Sequence, residues 1–199
     1  MPCTFVRLTG CPLRCVWCDT AYAFHGGTRM AVEEVVEAVG NLGEALVEIT
    51  GGEPLVQKAT PELAKRLLDE GHTVLLETSG ALDVSGVDPR VHKIMDLKCP
   101  GSGESERNLW DNLEHLGAGD EVKFVVADRD DLEWALATVR DRGLDRRVAG
   151  GTLKAVLISP VWGHDDVESL AEHILDSRLP VRLQTQLHKW IWGPDRAGV

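Results

Sequence analysis

The chain has 199 residues, enough for one domain with a sizeable core. Its 43% hydrophobic and 27% charged content is that of a globular protein and excludes a disordered one. A net charge of −11 with no basic stripe argues against docking on nucleic acid and for a small-molecule substrate. No apolar run is long enough to span a bilayer, and no basic leader precedes an apolar stretch, so the expected setting is the cytoplasm with no membrane attachment. In that reducing compartment clustered cysteines are read as metal ligands or catalytic groups rather than disulfides.

Apolar runs rich in β-branched residues predict strands over 4–9, 45–50, 73–78, 92–97, 121–127, 153–159 and 181–186. Between most of them the apolar spacing turns helical. Val32, Val35, Val36 and Val39 form one stripe, and Leu63, Leu67 and Leu68 the next. Leu132, Ala135, Leu136 and Val139 form a third, and Val167, Leu170, Ala171, Ile174 and Leu175 a fourth. Thr60-Pro61 reads as a helix start, and Asp130…Glu133 and Asp165…Glu168 as acidic caps. Gly71 and Gly143 read as helix stops. Alternating strand and helix predict a single α/β domain, 1–199, on a mostly parallel sheet.

Polar and glycine-rich residues gather where these strands end. Cys11 follows the first, Gly51-Gly52-Glu53-Pro54 the second, Ser79-Gly80 the third, Lys98-Cys99-Pro100 the fourth and Ser159-Pro160 the sixth. In a parallel α/β barrel those ends share the face that carries the active site.

Cys11-x3-Cys15-x2-Cys18 places three thiols in eight positions with no fourth soft ligand nearby. A cuboidal four-iron cluster held by three thiolates keeps one iron open for a substrate or cofactor atom. A structural zinc site is the competing reading and wants four ligands; free thiols are the third. Cys3 is a poor fourth ligand, because a strand of ~3.3 Å per residue separates it from Cys11 by over ~20 Å. Arg7 alternates with Val6 and Leu8, so it faces away from them and needs an anion, either a substrate carboxylate or a structural acid.

The cysteine spacing, with an aromatic at Trp17, resembles the cluster motif of the radical S-adenosylmethionine (SAM) superfamily, and Gly51-Gly52-Glu53-Pro54 its GGEP element. "FVRLTGCPLRCVWCDT", "TGGEPL", "ETSG", "DLKCPGSG", "VKFVVAD", "LISPVWG" and "LQTQLHKWIWGPD" are similar, in order and spacing, to the 7-carboxy-7-deazaguanine synthase family over nearly the whole chain. The resemblance implies a partial, open (β/α) barrel of about six to seven mostly parallel strands. It implies a 4Fe–4S cluster on Cys11, Cys15 and Cys18, with SAM chelating the open iron and cleaved by one electron to a 5′-deoxyadenosyl radical. The radical would abstract hydrogen from 6-carboxy-5,6,7,8-tetrahydropterin. The substrate would then contract to 7-carboxy-7-deazaguanine with loss of ammonia and return of the hydrogen to SAM, feeding queuosine and related deazapurines.

The same resemblance distributes roles. SAM would meet Trp17, Cys18, Asp19, Gly51, Gly52, Glu53, Gly80, Lys98, Cys99, Pro100 and Ser159, with the Glu53 carboxylate receiving the methionine ammonium. Thr20 would bind Mg2+ beside the substrate carboxylate, although Asp19-Thr20 also reads as a turn pair. Arg7, Thr78, Gln186 and His188 would bind substrate, with Gln184, Gln186 and His188 alternating along the last strand to read the pterin edge. Glu77 alternates with Thr78 and is divided between a direct role and none; Lys123 faces the same end. Cys99 is expected to stay off the cluster. The remaining histidines, His25, His72, His92, His115, His164 and His173, read as surface or packing residues, and Trp190 and Trp192 as covers of the mouth. An electron donor such as flavodoxin or ferredoxin and a homodimer complete the expectation.

Two other functions compete, a glycyl-radical-enzyme activase acting on a protein chain and a non-catalytic zinc module. The pterin-directed residues oppose the first and the open-iron spacing the second. The family also has an upstream Gln-Gly-Glu-Gly stretch that touches substrate and is expected to be missing from these 199 residues. A late start codon or a diverged substrate would each account for that.

Overall fold

The computed structural model describes residues 2–163, 166–194 and 196. Seven strands form one sheet: β1 (Thr4–Leu8), β2 (Leu46–Gly51), β3 (Thr73–Thr78), β4 (His92–Lys98), β5 (Glu121–Val126), β6 (Ala155–Pro160) and β7 (Val181–Leu183). Their spatial order is their chain order and every pairing is parallel. A sheet that adds each new parallel strand on the same side winds as a barrel, and here it stops before closing, with β1 and β7 as its edges.

The helices among the described residues are α1 (Val32–Leu42), α2 (Thr60–Asp69), α3 (Arg129–Asp141), α4 (Leu144–Ala149), α5 (Val167–Ser177) and α6 (Leu187–Trp192). Four of the six, α1, α2, α3 and α5, lie where the apolar stripes predict them; α4 and α6 lie outside the predicted stripes. Parallel strands need a covering layer because neither face can be left as bare backbone and apolar side chain. Val39 of α1 and Leu63, Ala64 and Leu67 of α2 cover Val47, Ile49, Val74 and Leu76. Leu132, Leu136 and Val139 of α3 and Leu170 and Ile174 of α5 cover Met95, Leu97, Val122, Phe124, Val156 and Ile158. Among the described residues no α-helix joins β3 to β4 or β4 to β5, and the second connection holds only short 3-10 turns at Pro100–Ser102, Ser105–Arg107 and Trp110–His115. Two asparagines satisfy that backbone instead: Asn108 bonds both the N–H and the C=O of Lys98. Asn112 accepts from Val84 N–H and donates to the carbonyls of Gly80 and Leu82.

Three helix starts differ from the sequence expectation. Residue Ala59, not Thr60, caps α2, with Pro61 in its first turn. Asp128 rather than Asp130 caps α3, its carboxylate accepting from Asp131 N–H. Asp166 caps α5, while Asp165 and His164 lie outside the described residues. Asp128 and Asp166 each reach back to a backbone N–H three residues on, whereas Ala59 has no side chain to do so and α2 starts without a side-chain cap. Gly71 and Gly143 do stop their helices, at φ of 91° and 64°.

The larger departure is at the end of the chain. β7 stops at Leu183, and 187–192 is helical. Gln184, Gln186 and His188 therefore do not share a strand face, and their alternation loses its meaning.

The other face of the sheet carries Arg7, Glu48, Thr50, Glu77, Asp96, Lys98, Lys123 and Ser159, alternate to the covered positions. Lys123 of β5 pairs with Glu77 of β3, and its charge reaches Glu48 of β2. β2 and β5 are three strands apart, roughly 14 Å in a flat sheet, so this face is curved inward. Burial pushes the Glu48 carboxyl up to about 7, and the neighbouring Glu77 adds to the rise, while Lys123 and Arg7 oppose it. Glu77 itself is held low by Lys123. A carboxyl raised by folding binds its proton more tightly in the native state, so stability falls as pH climbs from the ordinary carboxyl range toward 7 and then levels. Glu48→Gln keeps the shape and can donate an N–H to Glu77. Thermal unfolding from about pH 5.5 to 8 is expected to show the variant gaining on the parent as pH rises. Parallel curves would assign the titration elsewhere.

Candidate functional site

The segment between β1 and α1 has almost no regular structure, and it is held in place by backbone bonds to neighbouring strand ends. Gly10 N–H donates to the Ala23 carbonyl at 2.9 Å, closing the loop on itself. Glu53 N–H donates to the Gly10 carbonyl at 2.8 Å, and Gly52 N–H to that of Leu8 at 3.1 Å, joining it to the end of β2. Val16 N–H donates to the Ser102 carbonyl at 3.0 Å, and Arg14 N–H to Glu104 Oε1 at 2.5 Å, joining it to the turns after β4. Leu13 is fully buried beneath it. The sequence needs glycine at 52 because the chains meet there: a side chain would strike the Gly10 carbonyl and come within 2.9 Å of Cys11 Cβ.

Cys11, Cys15 and Cys18 are all partly exposed on this loop. Cys18 N–H donates to the Cys15 carbonyl at 3.2 Å, and the charge of Cys18 reaches both other thiols. Burial pushes the Cys11 and Cys15 thiols up, and Lys98 pulls both back. Cys3 sits at the far end of β1, where its charged neighbours are Glu48 and Glu44. Cys99 is buried in the helix-side core, its thiol pushed up by desolvation, so any ligand contact it makes is through backbone.

Glu53 lies deeper than its place in the motif suggests. Its side chain is fully buried and already saturated. Oε2 accepts from Ser79 N–H and Ser79 Oγ at 2.6 Å each and from Thr78 Oγ1 at 3.0 Å; Oε1 accepts from Leu55 N–H at 3.0 Å. The carboxylate takes all four of these donors from within the chain. It ties the end of β2 to the end of β3, and the groups left facing outward are the backbone of Gly51 and Gly52. Thr78, expected on substrate, is buried with its hydroxyl on Glu53, whereas Glu77 faces the inner chamber.

Lys98 lies beside Asp96, Nζ to Oδ2 at 2.9 Å; burial opposes its charge, but Asp96 and Cys15 raise its pKa. Asp96 Oδ1 is buried with no hydrogen-bond partner among the described residues, so this wall still offers one acceptor. Ser159 shares the row of Lys98 across β5, and Pro100 is exposed at the rim. Arg7 points into the chamber with no ion pair among the described residues, its guanidinium 5.9 Å from the Phe5 ring and 5.8 Å from that of Tyr22. An unpaired arginine on two aromatic rings presents its fork to an anion.

Asp19 joins the loop to the last helix. Its carboxylate accepts from Thr20 Oγ1 at 2.9 Å, Gln186 Nε2 at 2.9 Å and Lys189 Nζ at 2.7 Å. Burial opposes its ionisation, yet Lys189, Thr20 and Gln186 hold it at about 2. Gln186, expected on substrate, is thus engaged with the loop, and His188 stands half-buried on α6. Lys189 is a residue the sequence reading missed. The available signal was its place one position past the expected stripe.

Among the described residues no three His, Cys, Asp or Glu side chains converge as a single ion requires. The thiolates of an iron–sulfur cube ligate three separate irons and so stand farther apart than the ligands of one ion, which three cysteines on one folded loop can satisfy. For Mg2+ the expected donor is one hydroxyl, Thr20, which would suit an ion that keeps most of its shell as water and ligand oxygen.

Residues 5–100 match the radical SAM superfamily model. Curated 7-carboxy-7-deazaguanine synthases are similar over essentially the full length. That of Koribacter versatilis is 42% identical, covering all of this chain and 92% of its own. That of Chlorobaculum tepidum is 44% identical over all of this chain and 89% of its own. The crystal structure of QueE from Escherichia coli shares the fold, with a TM-score of 0.70 at 24% identity, covering 93% of this chain and 85% of that one. Streptococcus suis SuiB shares it more distantly, at a TM-score of 0.61, 13% identity and coverage of 92% of this chain and 49% of that one. With relatives above 40% identity spanning all of it, this chain belongs to the 7-carboxy-7-deazaguanine synthase family.

Proposed function

We propose that this chain is a radical SAM enzyme that contracts 6-carboxy-5,6,7,8-tetrahydropterin to 7-carboxy-7-deazaguanine with release of ammonia. The observation that carries it is the three-cysteine loop stitched to the Gly51-Gly52 turn, above a chamber lined by unpaired Arg7, in a member of this family. When bound, a 4Fe–4S cluster and SAM supply a carbon-centred radical able to take hydrogen from the substrate. The chain's own part is placement. Cys11, Cys15 and Cys18 would hold the cluster, leaving one iron for SAM. The carbonyl-bearing Gly51-Gly52 backbone, braced by Glu53, would receive the methionine end, with Trp17, Asp19, Gly80, Lys98, Pro100 and Ser159 around it. Arg7 would bind the substrate carboxylate and Thr20 the Mg2+ that shares it.

The inner acids and lysines surround a substrate that must gain and lose protons as ammonia leaves, and their compensating charges keep that chamber near neutral. A flavodoxin or ferredoxin donor, a homodimer and a cytoplasmic setting belong to the same proposal and rest on the family resemblance. Anaerobic incubation with SAM, reductant, Mg2+ and carboxytetrahydropterin should yield a product lighter by one ammonia in mass analysis. Protein that carries zinc at one equivalent, no iron and no such product would defeat the proposal.

Cys11→Ala, Cys15→Ala and Cys18→Ala should each lose iron and SAM cleavage, while Cys3→Ala and Cys99→Ala keep the brown cluster. A colourless Cys99→Ala protein that is still folded would show that the core thiol is a ligand after all. Glu53→Ala strands the buried donors of Thr78 and Ser79, each costing about 1–3 kcal/mol, and should lower the melting temperature sharply. Full thermal stability with lost SAM affinity would instead restore Glu53 to direct ligand contact.

A further inference from the structure

α6 is built inside out. Its lysine is the buried residue, with Lys189 only 7% exposed, while Leu187, Trp190 and Ile191 are each more than 60% exposed. Burial of an apolar stripe therefore cannot be what seats this helix. Its fixed contacts are polar and converge on one group: Lys189 Nζ and Gln186 Nε2 both reach Asp19 Oδ2. An edge-to-face contact between Trp190 and Trp162, centroids 5.2 Å apart, is the other.

Asp19 divides its two oxygens. Oδ2 is taken by the two donors from α6, and Oδ1 accepts the proton of Thr20 Oγ1. A hydroxyl has one hydrogen and two lone pairs. With its hydrogen committed to Oδ1, Thr20 Oγ1 turns lone pairs away from Asp19, the orientation a cation ligand needs. Were Oδ2 released, the carboxylate could rotate, and the hydroxyl would lose its fixed direction.

We propose that Lys189 is a positioning residue, which clamps Asp19 so that Asp19 in turn holds Thr20 as an oriented cation ligand. The inference rests on the proposed magnesium role of Thr20. It also accounts for why Thr20 rather than the adjacent carboxylate would be the ligand: the charge of Asp19 is already answered by Lys189. Partners that orient a metal ligand from behind commonly govern affinity by about 10–100-fold.

The test uses anaerobically reconstituted full-length protein with carboxytetrahydropterin and no SAM, so that no turnover occurs, and reads Mn2+ binding by electron paramagnetic resonance. Lys189→Met, Asp19→Ala and the double variant should each weaken Mn2+ binding by about tenfold or more. The double should be no worse than either single, because both act through one hydroxyl. Iron content should stay at the parent level, a split that general destabilisation would not give. Parent-like Mn2+ binding by Lys189→Met overturns the assignment, as does a double variant whose losses add. If Lys189→Met fails to keep its cluster, Lys189→Arg decides: affinity within about threefold of the parent supports the clamp, and a tenfold loss overturns it. A parent protein that binds no Mn2+ overturns both the clamp and the magnesium reading, whereas product formation without a metal response leaves the ring-contraction reading standing.

Discussion

One buried carboxyl organises the end of the barrel where the chemistry would occur. Glu53 leaves its backbone N–H on Gly10 of the cysteine loop and its side chain on Thr78 and Ser79 at the end of β3. A single residue thus joins the ends of three adjacent strands, and it does so without solvent access. Hydrogen bonds to an acid in such a place count for more than surface ones, because water cannot replace them. The cysteine loop has little secondary structure of its own, so its shape depends on these attachments and on the matching pair to Ser102 and Glu104. The glycine at 52 is part of the same constraint, since only a residue without Cβ lets the two chains approach closely enough for the bonds to form.

Much of this was legible in the sequence. Helix periodicity located α1, α2, α3 and α5, because each must cover a parallel sheet and carries a full apolar stripe. The convergence of cysteines, glycines and polar residues at strand ends was legible for the same topological reason. What failed to show was the direction of individual polar side chains. Glu53 is one case, since nothing local reveals that Ser79 folds over its carboxylate. Between Glu77 and Thr78 it is Glu77 whose side chain faces the chamber. Thr78 belongs with Val74 and Leu76 on the covered face, and Glu77 with Glu48 and Lys123 on the open one. Strict alternation could have settled this, had acids and lysines at alternate positions of otherwise apolar strands been taken as one lining.

The end of the chain was misread because its pattern contradicts the rule used to read it. Gln184, Gln186 and His188 alternate, but Leu187, Trp190 and Ile191 have helical spacing, and the helix won. Hydrophobic pattern says which side of a helix is buried only when burial is what seats the helix. In α6 a lysine and a glutamine reach inward to Asp19, and the apolar residues stay outside. No local propensity encodes such a long-range ion pair, 170 residues apart in sequence.

The pleat keeps two demands apart. Residues facing the helices are apolar and close-packed, and they supply stability at no cost to chemistry. The chamber face mixes charged residues with apolar ones in the same rows, such as Leu75, Ile94 and Leu157, and several of the charges are held there against desolvation. Such groups stabilise a fold poorly, since an ion pair out of water recovers little more than it loses. Their retention is easier to understand if the curved face must meet a charged ligand. The acids and lysines largely answer one another, as Glu77 and Asp96 do Lys123. That leaves Arg7, exposed on the edge strand, as the cation with no ion pair among the described residues and free for an anionic ligand under the proposed reading. On that view the local imbalance at Arg7, rather than the chain's net acidity, selects for a carboxylate-bearing substrate.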